Sequence, residues 1–116
     1  MATFYRVNFL TAANEDLRQA FALTDSAGAP VSLTDGSLKM NFEALASTIP
    51  GIEASTANGR IVLSNAAQGQ FEIALPTAVL RSIPAGVYRH DLVLTLAGRV
   101  QRVWEGTLTL NSGVTP

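Results

Sequence analysis

Hydrophobic and polar residues alternate along most of the chain, and glycine, proline, asparagine and aspartate interrupt the alternation at short intervals. A period of two is typical of β-strands, whose successive side chains point to opposite faces of a sheet. Leu38, Met40 and Phe42 form one such apolar face, with polar residues between them. Such segments recur about every 8–12 residues, which favours a β-sandwich or a small barrel.

The same alternation predicts the residues of the core, because one face of each strand must be covered by another layer of the fold. The positions that we expect to be buried are Leu17, Phe21, Leu38, Met40, Phe42, Ile61, Leu63, Phe71, Ile73, Leu75, Leu92, Leu94 and Leu108.

A short interruption of the strand pattern lies in the second half of the chain. Apolar residues with helical spacing predict one helical turn within residues 77–83. A turn followed by residues 84–88 is typical of the corner between two sheets, where the Tyr88 hydroxyl would donate a hydrogen bond to the backbone near Leu80. This corner favours an all-β antiparallel β-sandwich of about seven or eight strands over a barrel.

The C-terminal part of the sequence and the length of the chain indicate the bounds of the domain. Residues 97–99 predict a hairpin turn, and Gly106 lies inside the returning strand, where a glycine is typical of a bulge. With 116 residues the chain has the length of one domain. We expect an N-terminal arm or edge strand at residues 1–14, the sandwich domain at 15–111 and a flexible tail at 112–116.

Composition narrows the possible partners. The net charge is −1, with eight basic and nine acidic residues, so the positive surface that binds nucleic acid is not expected. The sequence has no apolar run of about 18 residues, and we expect no membrane partner. Cysteine is absent, which excludes disulfides, thiolate nucleophiles and cysteine-ligated metals.

Residues that could carry chemistry are sparse. His90 is the single histidine, and its neighbour Asp91 points to the opposite face of a strand, where it cannot orient the ring. Asp25 and Asp35 lie in loops that lack the several oxygen ligands that calcium requires. Gly51, Gly59 and Gly69 are isolated turn residues with no helix after them, which is unlike a phosphate-binding loop. We therefore predict no catalytic residue, no metal site, no cofactor and no small-molecule substrate.

Aromatic residues near the N-terminus indicate a contact with another protein. Phe4 and Tyr5 are adjacent, so a strand would direct them to opposite faces and leave one ring outside the core. We predict a protein–protein contact formed by Phe4, Tyr5, Arg6 and Phe9, although an ordinary edge strand explains the aromatic residues equally well. Trp104 has the strand parity of Leu108, and we expect it to pack in the core rather than to stack on a ligand.

Several segments of the chain together form a specific pattern. Its motifs are residues 16–21, 25–31, 58–63, 69–75, 83–88, 91–92 and 102–110, among them Pro84-Ala85-Gly86-Val87-Tyr88 and Glu105-Gly106-Thr107-Leu108-Thr109-Leu110. With these motifs the chain resembles the small immunoglobulin-like structural proteins encoded among the tail and tail-fibre genes of tailed phages and prophages, and it is also similar to the N-terminal domain of the phage baseplate upper protein. The resemblance extends from about residue 15 to 111, and it implies an immunoglobulin-like antiparallel β-sandwich.

The resemblance implies a structural role in a virion, and it brings no catalytic residue. We expect a non-enzymatic tail-tip, baseplate or fibre-attachment protein, made in the bacterial cytoplasm and located in the particle. Its partners would be other phage structural proteins and copies of itself. Decoration of the capsid is an alternative within the same class. A carbohydrate-binding or adhesin module is the alternative from another class, and it would present exposed aromatic residues such as the two tyrosines of the chain.

Overall fold

The computed structural model describes residues 5–45 and 51–113, and within them the chain forms nine β-strands in two sheets. The predicted all-β sandwich is confirmed. The strands are β1 (Tyr5–Arg6), β2 (Phe9–Ala12), β3 (Leu17–Ala22), β4 (Ser37–Ala44), β5 (Ile52–Ser55), β6 (Ile61–Asn65), β7 (Gln70–Leu75), β8 (Gly86–Leu96) and β9 (Arg99–Asn111).

The two sheets differ in size. The larger sheet has the order β1-β9-β8-β4-β5, with β2 also paired to β9, and the smaller has the order β3-β7-β6. All ladders are antiparallel except those of β1 and β2, which run parallel to β9. The fully antiparallel sandwich predicted from the sequence is wrong in this respect. The strand count also exceeds the prediction, because the N-terminal arm contributes two short strands.

The core lies between the sheets. In β4 every second residue is buried, as the alternation predicted. All the predicted core residues are buried except Phe21 and Leu63, which are partly buried. Trp104 is buried as its strand parity predicted, and the core also contains residues that the alternation did not predict, namely Phe9, Leu33, Ala44, Ala54, Leu80, Ile83, Tyr88, Val103 and Leu110.

The predicted helical turn is present as α1 (Thr77–Leu80), which directly follows Pro76. Its first backbone N–H, that of Thr77, donates to Asp16 Oδ1 at 2.9 Å, so the side chain of the residue just before β3 satisfies an N–H that the helix leaves unpaired. Leu80 is fully buried and fixes the turn against the core. A second short turn, a 3-10 helix at Ala66–Gln68, connects β6 and β7.

The hairpin of β8 and β9 contains a register shift in the larger sheet. Its turn is the predicted one, with positive φ of 54° at Ala97 and 77° at Gly98. Leu92 pairs with Trp104 while its neighbour Val93 pairs with Arg102, so one extra residue of β9 lies between these pairs. The predicted bulge at Gly106 is therefore wrong in position, since the register shift lies near residue 103.

Candidate functional site

Residues 5–12 of the predicted N-terminal arm form an edge of the larger sheet, and these residues are called the arm below. Phe9 pairs with Leu108 and Ala12 with Asn111, both in parallel register. The backbone N–H of Val7 donates to the Glu105 carbonyl at 2.9 Å, which continues the contact across the gap between β1 and β2. The arm is thus held along β9 over nearly its whole described length.

A close backbone approach at Gly106 makes this docking possible. A Cβ atom at Gly106 would lie 1.8 Å from the Val7 carbonyl oxygen, a distance at which no side chain fits. Beside it, Asn8 Oδ1 accepts hydrogen bonds from the Thr107 backbone N–H at 3.0 Å and from Thr107 Oγ1 at 3.2 Å. Glycine inside this strand marks the approach of another backbone rather than a bulge. Sequence analysis did not assign this role to Gly106 or to Asn8.

The predicted contact residues divide into three groups. Phe4 and the side chain of Tyr5 lie outside the described residues, although the Tyr5 backbone pairs with Trp104. Arg6 is exposed, and its Nη2 lies 3.5 Å from Glu105 Oε1. Phe9 is only 4% exposed, so its ring is not available to a partner, and the prediction of a Phe9 contact is corrected to a core position.

Phe9 belongs to a group of packed aromatic rings. Its ring centroid lies 6.1 Å from that of Phe21, in an edge-to-face arrangement. Phe21 in turn lies 4.7 Å from Trp104, which is buried as predicted. Trp104 Nε1 has no hydrogen-bond partner among the described residues. The arm therefore contributes an aromatic side chain to the centre of the fold and is anchored there.

His90 lies on the inner face of β8, where its ring packs against Phe9 of the arm. It is 4% exposed, and its ring packs 5.2 Å from Phe9 and 5.3 Å from Phe42. Nε2 lies 3.2 Å from the Thr107 carbonyl oxygen, to which it donates in the neutral ring. Asp91 points to the outer face, where its carboxylate lies 3.6 Å from Arg102. The two side chains do not form a catalytic pair.

Burial lowers the pKa of His90, while the carbonyls of Thr107 and Val7 and the charge of Asp91 act in the opposite direction. At pH values between the lowered pKa of His90 in the folded protein and the ordinary value of about 6.5, His90 is protonated in the unfolded chain and neutral in the folded protein. This part of the stability is complete above pH of about 6.5 and is lost as the pH falls below it.

We expect the free energy of unfolding to decrease from pH 7 towards pH 5, and to decrease less in His90→Gln. The glutamine amide retains a donor for the Thr107 carbonyl but does not titrate. Urea unfolding of both proteins across this range measures the difference, since carboxylates contribute equally to both. Parallel curves for the two proteins would contradict a lowered pKa of His90.

Tyr88 forms a corner at the start of β8. Its side chain is 1% exposed, and its hydroxyl donates a hydrogen bond to the Pro84 carbonyl. The predicted acceptor near Leu80 is thus wrong, since the acceptor lies four residues further along the chain. Burial raises the pKa of Tyr88.

Tyr88→Phe is expected to lower the free energy of unfolding by about 0.5–1.5 kcal/mol, the net contribution of one hydrogen bond. Urea titration monitored by circular dichroism measures this, and Tyr88→Leu, which also removes ring volume, is expected to cost more. An unchanged stability in Tyr88→Phe would show that the hydroxyl bond contributes nothing.

The loops and the surface show no clustered ligands. Asp25 Oδ1 accepts the backbone N–H groups of Ala27 and Ala29 at 2.9 and 3.0 Å, so this carboxylate closes its own loop. Within residues 5–45 and 51–113 there is no group of three or more His, Asp or Glu that could hold a metal ion. No helix in the same part of the chain is long and apolar enough to cross a membrane.

Comparison with known proteins shows the fold. No protein-family model matches the sequence, and no match was found among curated proteins. Among solved structures, the chain is similar to the N-terminal domain of phage TP901-1 ORF48, with a TM-score of 0.58 and 10% sequence identity. The similarity covers 94% of this chain and 97% of that domain. The resemblance to a phage structural domain, first indicated by sequence motifs, therefore holds at the level of the fold.

Proposed function

We propose that this protein is a non-enzymatic structural component of a tailed-phage or prophage virion, located in the tail tip, the baseplate or a fibre attachment. The observation that carries the proposal is the similarity of nearly the whole chain to a domain of a phage protein. The sequence motifs that resemble the baseplate upper protein support it independently. Contacts with neighbouring virion proteins would use the surface of the sandwich, whose edges include the arm.

The arrangement of the described residues agrees with a packing role. The single histidine is buried among aromatic rings and holds a backbone carbonyl. The carbohydrate-binding alternative is weakened, because Tyr88, one of only two tyrosines, is buried in the core. Capsid decoration needs the same kind of surface, so an experiment has to distinguish head from tail.

The proposal is tested on particles. We expect the protein in purified virions of a phage or induced prophage that encodes it, and in the tail fraction after heads and tails are separated. Quantitative mass spectrometry of both fractions measures the copy number. Enrichment in heads would favour decoration of the capsid over a tail role. Absence from all particles, with the protein present in the lysate, would overturn the proposal.

We also expect the purified protein to hydrolyse no glycan, peptide or phosphoester. If an activity is found, His90→Gln and Asp91→Asn test its origin, because the structure separates these two side chains on opposite faces of β8. An activity of the purified protein that is lost in either variant would contradict the proposed structural role.

A further inference from the structure

Exposed apolar side chains form a row across the outer face of the larger sheet. Leu10 of β2 pairs with Thr109 of β9, and Thr109 pairs with Val87 of β8. The side chains of these three residues therefore lie side by side on one face. Leu10 is 73% exposed and Val87 is 41% exposed.

Leu45, just beyond the end of β4, extends the row. The last residue of β4, Ala44, pairs with Tyr88, and both are buried on the inner face. If this antiparallel register is continued by one residue, Leu45 falls opposite Val87, and it is 62% exposed. Among the described residues, three of the five large hydrophobic side chains with high exposure lie in this row.

The rest of this face carries the exposed Val100, which pairs with Thr95 at the opposite end, and charged groups that balance one another. Four cations and four anions lie on it, and each is within 4 Å of an opposite charge. The pairs are Arg6–Glu105, Lys39–Glu53, Arg89–Glu43, Arg102–Asp91 and Arg102–Glu105. The face has no net charge from these groups, so it neither repels a copy of itself nor selects a strongly charged partner.

We infer that this outer face is the contact surface between two copies of the chain, with the row Leu10–Thr109–Val87–Leu45 of one copy packed on the same row of the other. An isologous contact brings one patch against itself, which requires the patch to be free of net charge. The apolar row, at one end of the face, supplies the part of the contact that excludes water, and the paired charges supply its polar part.

The size of the face is sufficient for a stable pair. The sheet is five strands wide and β4 is eight residues long. With strands about 4.8 Å apart and a rise of about 3.4 Å per residue, this gives roughly 600 Å² per copy. The total of roughly 1,200 Å² lies at the lower end of specific protein interfaces. We therefore expect a dimer of modest affinity.

Sedimentation velocity on the full chain over a concentration series tests this inference. We expect the wild type to reach twice the 12.2 kDa chain mass at high micromolar concentration. The variant Leu10→Thr/Leu45→Thr/Val87→Thr retains residues that suit strands and should weaken the dimer at least tenfold. Val62→Thr is the matched control, because Val62 is 46% exposed and lies on the smaller sheet. A thermal melt of each variant verifies folding.

A cross-link locates the contact. The chain lacks cysteine, so Thr109→Cys introduces a single thiol at the middle of the row. Facing sheets pack about 10 Å apart, which is too far for a disulfide between the copies, and a short bis-maleimide is used instead. We expect covalent dimers from Thr109→Cys and none from Val62→Cys.

A wild type that stays monomeric at all concentrations would overturn the inference. Equal dimerisation of the triple variant and the wild type would also overturn it, because the contact would then lie elsewhere. The inference goes beyond the virion role, and the two fail separately: a monomeric protein found in tails contradicts only the dimer, and a dimer absent from particles contradicts only the virion role.

Discussion

Phe9→Ala is expected to lower the free energy of unfolding by about 3–5 kcal/mol, as for other large-to-small changes in a core. The ring is 4% exposed and packs against Phe21 and His90. Its loss leaves a cavity between the sheets and removes the side chain that anchors the arm. Urea unfolding, monitored by the fluorescence of the single tryptophan, measures the change.

Leu10→Ala is the matched control, since Leu10 is the next residue of the same strand and is 73% exposed. We expect its effect on the unfolding free energy of the monomer to stay within about 0.5 kcal/mol. The comparison is made at concentrations where the wild type is monomeric, so that association does not contribute. Similar small effects for both variants would show that Phe9 is not a core residue and would restore it as a candidate contact.

The regular strands were predictable because burial in them follows the period of two. In β4 the predicted and observed faces agree from Leu38 to Phe42. Leu33, by contrast, is fully buried in a loop between strands, where no periodicity marks it. Phe9 was missed for a related reason: the arm is interrupted at Val7 and Asn8, so the alternation does not continue from β1 to β2.

The candidate site was less predictable because it depends on pairing between distant segments. Glycine inside a strand is compatible with a bulge and with the approach of another backbone, and local sequence does not distinguish them. Gly106 is needed because the Val7 backbone packs against it, and Val7 lies about a hundred residues earlier in the chain. The extra residue near Val103 likewise reverses the strand parity, and Val100 is 72% exposed although simple alternation places it on the face of Trp104.

Gly106→Ala is expected to destabilise the fold by about 2–4 kcal/mol, since the added Cβ atom would lie 1.8 Å from the Val7 carbonyl oxygen. A backbone atom cannot rotate away as a side chain can, so the arm itself has to move. This movement would break the hydrogen bonds of Asn8 with Thr107 and loosen the packing of Phe9. Hydrogen exchange at the Val7 amide, which donates to Glu105, is expected to accelerate selectively.

A double-mutant cycle with Phe9→Ala separates displacement of the arm from a general effect on β9. If the alanine at position 106 acts by displacing the arm, it removes the same packing that Phe9→Ala removes. The double variant should then be less destabilised than the sum of the two single variants by about 1–3 kcal/mol, a coupling typical of residues in one contact network. Strictly additive effects would show that Gly106→Ala disturbs β9 independently of the arm, and the proposed docking of Val7 on Gly106 would be wrong.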